Sequence, residues 1–164
     1  MKKTVITMAI LTSALLADTI YVSNEKDNTI SVIDSLTNKV TETIKVGQRP
    51  RGILLNNDKT QLYICASDDD TVQVLDLKTK EILYNLPSGE DPEQFALTPD
   101  GKELYVSNED DAIVTVVDTV NRSVVTQIEV GVEPEGMAVS PDGTVAINTT
   151  ETSNFLHWID TKTK

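Results

Sequence analysis

The chain has little with which to build a cross-linked or metal-organised protein. Cys65 is its one cysteine, so no intrachain disulfide can form and no CxxCH haem attachment exists. His157 is its one histidine, and a lone imidazole without further ligands makes a poor metal site. Cations are scarce as well: 14 Lys and Arg stand against 26 Asp and Glu, for a formal charge of −12. Such a surface repels phosphate backbones, because nucleic-acid binding needs clustered Lys and Arg. It favours cationic partners, metal ions or simple solubility. Long apolar runs are confined to one place. Lys2 and Lys3 precede a mostly apolar stretch, Val5 to Leu16, and Ala14 and Ala17 provide small residues for cleavage. This pattern reads as a secretory signal peptide over residues 1–17, with an uncleaved anchor as the alternative. The stretch is short for a membrane span and no other follows. The expectation is a periplasmic protein of residues 18–164, with no membrane span after signal cleavage.

Helical periodicity is also missing. In its place stands a spacing of 42 residues. It relates Tyr21, Tyr63 and Tyr105; Asp34, Asp76, Asp118 and Asp160; Gly47, Gly89 and Gly131; and Pro50, Pro92 and Pro134. Four residue types in one register mark a repeat architecture. Within one repeat, β-rich runs alternate with turn residues. Gln94 to Thr98 leads into Pro99-Asp100-Gly101, where Pro presets φ, Asp bonds its own backbone and Gly takes positive φ. Glu103 to Ser107, Ile113 to Val117 and Val124 to Val130 follow. Four strands in a unit of about 40–45 residues is the arithmetic of a β-propeller blade. A parallel β-helix has shorter coils, and a sandwich needs no such strict period. With strands lettered A to D from the central channel outward, the chain after residue 17 starts with a B strand at Thr19 and ends after a C strand at Ile159-Asp160. That makes fourteen strands of an all-β propeller, about three and a half four-stranded blades, where closure takes about 4–8. The expectation is a partial, open propeller with apolar faces and strand edges uncovered at both ends. A truncated sequence or fragment is the first reading of this count. A partner chain, or missing C-terminal blades, would close the ring.

These residues carry a resemblance. Ile20-Tyr-Val-Ser-Asn24, Leu104-Tyr-Val-Ser-Asn108, Val32-Ile-Asp34 and Pro134 to Gly143 resemble the YVTN-family β-propeller repeat. Tyr21 to Thr29, and Thr149 to Asp160, are similar to stretches of exported propellers associated with pyrroloquinoline quinone (PQQ)-dependent catabolism. That group belongs with propellers related to quinoprotein amine dehydrogenase subunits. The resemblance implies a periplasmic role beside quinoprotein alcohol or amine oxidation; in that setting the acidic surface makes a cytochrome, a quinoprotein dehydrogenase or an amine-bearing ligand the candidate cationic partner. It carries over no catalytic motif. No cofactor-binding motif is present in the chain, and PQQ enters only through the associated pathway. An oxidoreductase subunit of the amine-dehydrogenase type, a propeller lactonase, or a fragment without independent function are the alternatives.

The period also sorts candidate residues. Asp34, Asp76, Asp118 and Asp160 look catalytic singly, but recurrence marks them as turn residues. Loops joining B to C and D to A are expected on one face, where fourteen acidic residues meet three basic ones, Lys26, Arg49 and Arg51. This face is expected to attract something cationic, against the plainer reading that hairpin loops favour Asp. Asp68-Asp69-Asp70 reads as an acidic hairpin rather than a calcium loop, since no spaced ligand pattern with its Gly is present. Two departures from the repeat remain. Arg49 and Arg51 stand where later crossings carry acids, and either bind a carboxylate or form internal ion pairs. His157 fills the slot of Ser31, Gln73 and Thr115 beside the loop Glu151 to Asn154. It is read either as an acid–base group or as a hydrogen-bonded histidine between blades. Arg49, Arg51, Glu151, Asn154 and His157 are therefore the candidate ligand- or partner-binding residues.

Overall fold

β-branched residues at alternate positions fit a pleated, half-buried surface. They build fourteen antiparallel strands in the computed structural model, which describes residues 18–164. The expected signal segment lies outside the described residues. The first sheet holds β1 (Thr19–Asn24), β2 (Thr29–Asp34) and β3 (Lys39–Lys45). The second holds β4 (Pro50–Leu55), β5 (Gln61–Ala66), β6 (Thr71–Asp76) and β7 (Ile82–Pro87). The third holds β8 (Pro92–Leu97), β9 (Glu103–Asn108), β10 (Ile113–Asp118) and β11 (Ser123–Glu129). The fourth holds β12 (Pro134–Val139), β13 (Val145–Thr150) and β14 (Leu156–Asp160). Strand order within each sheet follows the chain. The result is the expected open propeller: two whole blades flanked by two of three strands. No helix among the described residues is long and apolar enough to cross a membrane.

The recurring residues act through local hydrogen bonds. Each of Asp34, Asp76, Asp118 and Asp160 accepts the amides two and three residues ahead through Oδ1. Those bonds favour the ionised carboxylate and hold all four below the ordinary aspartate range. The chain then turns through a left-handed residue, Asn38, Lys80, Arg122 or Lys164. At the Pro-Asp-Gly turns, Gly101 and Gly143 take φ of +75° and +73°, and Lys59 takes 57° in the same slot of the second blade. Bulges recur as well: the register shifts between Val32 and Ile33, Val74 and Leu75, and Val116 and Val117.

Blades pack by one rule. Tyr21, Ile30 and Val32 meet Leu62, Ile64 and Leu75 of the next blade. Tyr63, Val72 and Val74 meet Leu104, Val106 and Val117 in turn. Tyr105, Val114 and Val116 meet Ala146 and Ile159. Cys65 lies fully buried in the second of these layers, and burial pushes its thiol up. The A strands β4, β8 and β12 lie beside one another and form the inner wall. Gly52 permits this approach, since a Cβ there would sit 2.6 Å from the Glu93 carbonyl oxygen.

Candidate functional site

The D–A crossings and B–C loops share one face because consecutive strands alternate in direction, and there the crossings find partners for their amides. The Gln48 amide donates to Asp69 Oδ2 at 2.8 Å and the Glu90 amide to Asp111 Oδ2 at 2.7 Å. The Val132 amide donates to Ser153 Oγ at 2.6 Å. The Arg49 and Asp91 amides donate to Asn28 Oδ1 and Asp70 Oδ1. Part of the acidic face is thus scaffold. Asp69 and Asp70 are spent on neighbouring amides, within a single 3-10 turn, Ser67–Asp69, that ends in left-handed Asp70.

The rest converges at the mouth of the inner wall. Residues 49, 91 and 133 stand at one level and 51, 93 and 135 at the next, each set in period. Arg49 Nη1 contacts both Asp91 oxygens, at 2.8 and 3.0 Å. Its Nε reaches Glu25 and its Nη2 reaches Glu93, each at 3.3 Å. Arg51 Nη2 contacts the other Glu93 oxygen at 2.5 Å and lies 3.9 Å from Glu135, while its Nη1 lies 3.5 Å from Glu25. Glu93 therefore bridges two guanidiniums from a side chain that is 1% exposed. The two arginines lie in an internal ion-pair network that ties all four blades together. Its carboxylates hold the Arg49 guanidinium protonated well above its ordinary range.

Acid still outnumbers base here. Burial pushes Glu93 up to about 8; Arg51 opposes this, while a hydrogen bond with Glu109 and the charges of Glu135 and Asp91 reinforce it. Burial likewise raises Glu135, against Arg51 and with Glu109, Glu151 and Asp91. Burial and the neighbouring carboxylates thus favour the protonated form of Glu93 over the ionised one, against the pull of Arg51. Asp91, Glu93 and Glu109 also bring ligand oxygens within 4.8 Å of one another. Two guanidiniums already occupy the lone pairs of the first two, so a cation there would compete with them. The depression beside Arg49, lined by Glu25, Lys26, Asn28, Gln48 and Asp68, measures about 290 Å³. A larger depression of about 430 Å³ on the opposite face is lined by Asp100 and Asp142. Both carboxylates are engaged in their own turns.

The remaining sequence candidates sit apart from the arginines. His157 Nε2 accepts the Gly131 amide at 2.9 Å, as Gln73 Oε1 accepts the Gly47 amide at 2.7 Å. The Phe155 ring stands edge-on to it at 6.0 Å. Its accepting nitrogen is therefore engaged in the repeat scaffold. Glu151 is exposed, and its amide donates to the Glu133 carbonyl; left-handed Asn154 donates to the Thr152 carbonyl at 3.1 Å. Sequence reasoning counted Glu25, Asp91, Glu93, Glu109 and Glu135 as face charges and missed them as one cluster. The signal was available: Arg51, Glu93 and Glu135 share a repeat slot on adjacent A strands. Asn148 was also missed. It replaces the apolar residues Val22, Ile64 and Val106, and its Nδ2 donates to Ser107 Oγ and the Gly136 carbonyl within the last blade interface.

Residues 2–108 match the family model of the YNCE-like beta-propellers, and residues 57–163 match that of the cytochrome D1 heme domain. No curated protein matches. Among solved structures, the chain is similar to Kuenenia stuttgartiensis hydrazine synthase, at 26% identity with a TM-score of 0.81 over 88% of this chain and 43% of that one. The chain thus spans less than half the length of that relative. Each family match covers more than half of the sequence and agrees with the four-stranded blades and their 42-residue period, the YVTN-type repeat expected from the sequence: this chain belongs to the YNCE-like β-propellers.

Proposed function

We propose that the chain is an exported, non-catalytic propeller that docks a cationic partner on its acidic B–C and D–A face. The observation that carries this reading is the channel mouth, where both arginines are saturated by carboxylates and an excess of acid remains. A field of one sign at a concave mouth steers oppositely charged partners toward it. A basic cytochrome or a quinoprotein dehydrogenase of a PQQ-dependent alcohol or amine oxidation has the required chemistry, and the resemblance read from Tyr21 to Thr29 supports that setting.

A subunit role within a redox enzyme is the second reading, favoured by the two redox names among the relatives. A haem is what the cytochrome D1 family name carries. Among the described residues the donors do not fit one. His157 spends Nε2 on the Gly131 amide, Cys65 is sealed in a blade interface, and the mouth offers carboxylates and guanidiniums.

The test is titration with a basic c-type cytochrome while ionic strength rises. Binding weakens at least severalfold as the Debye length falls from about 30 Å to about 10 Å. A double variant, Glu90→Lys with Asp110→Lys, weakens it further at low salt. Affinity that ignores both salt and these reversals refutes the docking face.

A further inference from the structure

In one slot the boundary between the third and fourth blades is polar where the other two boundaries are apolar. Asn148 of β13 is fully buried there, facing Ser107 of β9, itself fully buried. Ile64 and Val106, which fill the slot of Asn148 at the earlier boundaries, are equally buried and belong to apolar core layers. The Asn148 amide spends both of its hydrogens: Nδ2 donates to Ser107 Oγ at 3.0 Å and to the Gly136 carbonyl at 3.1 Å. Its Oδ1 has no partner, and among the described residues it is the one buried side-chain polar atom in that state. Exchanging oxygen and nitrogen gives no remedy. It would set carbonyl against carbonyl at Gly136 and leave two amide hydrogens without acceptors. The Ser107 hydroxyl is also half used. Its oxygen takes the Asn148 amide, and its hydrogen meets no acceptor among the described residues. Ser23, in the same slot of the first blade, donates to the Arg51 carbonyl at 2.8 Å, a bond that Ser107 does not repeat.

We propose that this boundary binds one water molecule, which accepts from the Ser107 hydroxyl and donates to Asn148 Oδ1. Buried polar groups are paired, because a sealed carbonyl without a donor forfeits its hydration for nothing. The unspent donor and the unspent acceptor together match a molecule that can both accept and donate. A metal ion would meet one carbonyl and one neutral hydroxyl, too few oxygens to hold it. The reach is suitable as well. Oδ1 shares a carbon with the Nδ2 that touches Ser107, so it lies within the span of two ordinary hydrogen bonds from the Ser107 oxygen. Two protein partners meet the minimum for a buried water. The water completes a clasp of three strands, joining β9 of the third blade to β12 and β13 of the fourth. Both blades that seal it belong to this chain, and the site uses none of the acidic loops, so it stands independently of the cationic partner.

A crystal structure of the full chain, at a resolution that shows ordered water, tests this. The expected result is a peak within about 3.2 Å of both Asn148 Oδ1 and Ser107 Oγ that refines as a fully occupied water. Oxygen-17 magnetic relaxation dispersion counts long-lived internal waters in solution. Asn148→Val supplies the residue found at Val106, removes the acceptor and lowers that count by one. Far-UV circular dichroism verifies that the variant is folded. Should the valine variant fail to fold, the wild-type crystal peak decides alone. An empty position between the two side chains overturns the proposal. So does an Asn148 Oδ1 turned onto a protein donor, a peak with the short multiple contacts of a metal ion, or an equal count of long-lived waters in the wild type and the folded variant.

Discussion

Glu93→Gln isolates the proton held at the channel mouth. Gln carries no charge, as the protonated carboxyl does, and its side-chain oxygen can still accept from Arg51. In the wild type the native Glu93 titrates at about 8, against 4.5 for an ordinary glutamate. Below the ordinary value both folded and unfolded chains hold the proton, so this group adds no pH dependence. Between about 4.5 and about 8 the unfolded chain releases the proton while the native chain keeps it, so stability falls as pH rises. At about 1.4 kcal/mol per pH unit the full loss reaches about 5 kcal/mol. Water reaching the half-exposed Glu25 and Glu135 screens the cluster, so a loss of about 2–3 kcal/mol is the expected observable. Urea unfolding at about pH 5 and about pH 8 measures it. The Gln variant flattens this slope and is the more stable protein at the alkaline end. If wild type and variant lose the same stability across the interval, the proton does not reside on Glu93 and the electrostatic account of the mouth is wrong.

Other perturbations address the scaffold. His157→Gln leaves stability unchanged, because Gln73 already performs the same task for Gly47, whereas His157→Leu strands the Gly131 amide and costs about 1–2 kcal/mol in chemical denaturation. Gly52→Ala drives a methyl into the Glu93 carbonyl and forces β4 and β8 apart, lowering stability by about 1–3 kcal/mol; an unchanged melting temperature would contradict the close approach. Lys59→Gly restores the residue found at Gly101 and Gly143 and raises stability by about 0.5–1 kcal/mol through relief of a left-handed backbone. The turn aspartates act at the opposite end of the pH scale from Glu93. Asp142, held at about 2 by the Ser140 hydroxyl and the Thr144 amide and hydroxyl, contributes stability above the ordinary aspartate range that is lost as pH falls toward about 2. Asp142→Asn therefore weakens the acid-side decline seen in pH-dependent melts.

The blades were legible in the sequence because their determinants are local and repeated. Asp76 and Asp118 bond amides two and three residues away, and Pro-Asp-Gly needs only itself to turn. The strand count and the pairing of loops on one face followed from the same short-range pattern. The mouth was legible only in part. Arg49 and Arg51 stood out as departures from the period, but their partners come from four blades, and Arg49 with Asp91 spans a full repeat. Periodicity identifies equivalent positions; it does not say which of them touch across a blade boundary. His157 stood out for its rarity, yet its contact is ordinary for its slot, with imidazole replacing an amide oxygen. Asn148 escaped notice because a polar residue in an apolar slot is visible only when the slot's neighbours are compared directly.

The Arg49–Arg51 network also distinguishes one blade from another. Repeats this similar can be exchanged during folding, with one blade skipped and its successor docked in its place, a hazard typical of repeat proteins. The crossings at 49, 91 and 133 carry Arg, Asp and Glu, so only the native order sets guanidiniums between Glu25 of the first blade and the carboxylates of the third and fourth. A chain that omitted the second blade would bring Glu25 against Asp91 and Glu93 with no cation between them. The ion pairs thus act as a serial number, telling otherwise interchangeable blades which neighbour is theirs.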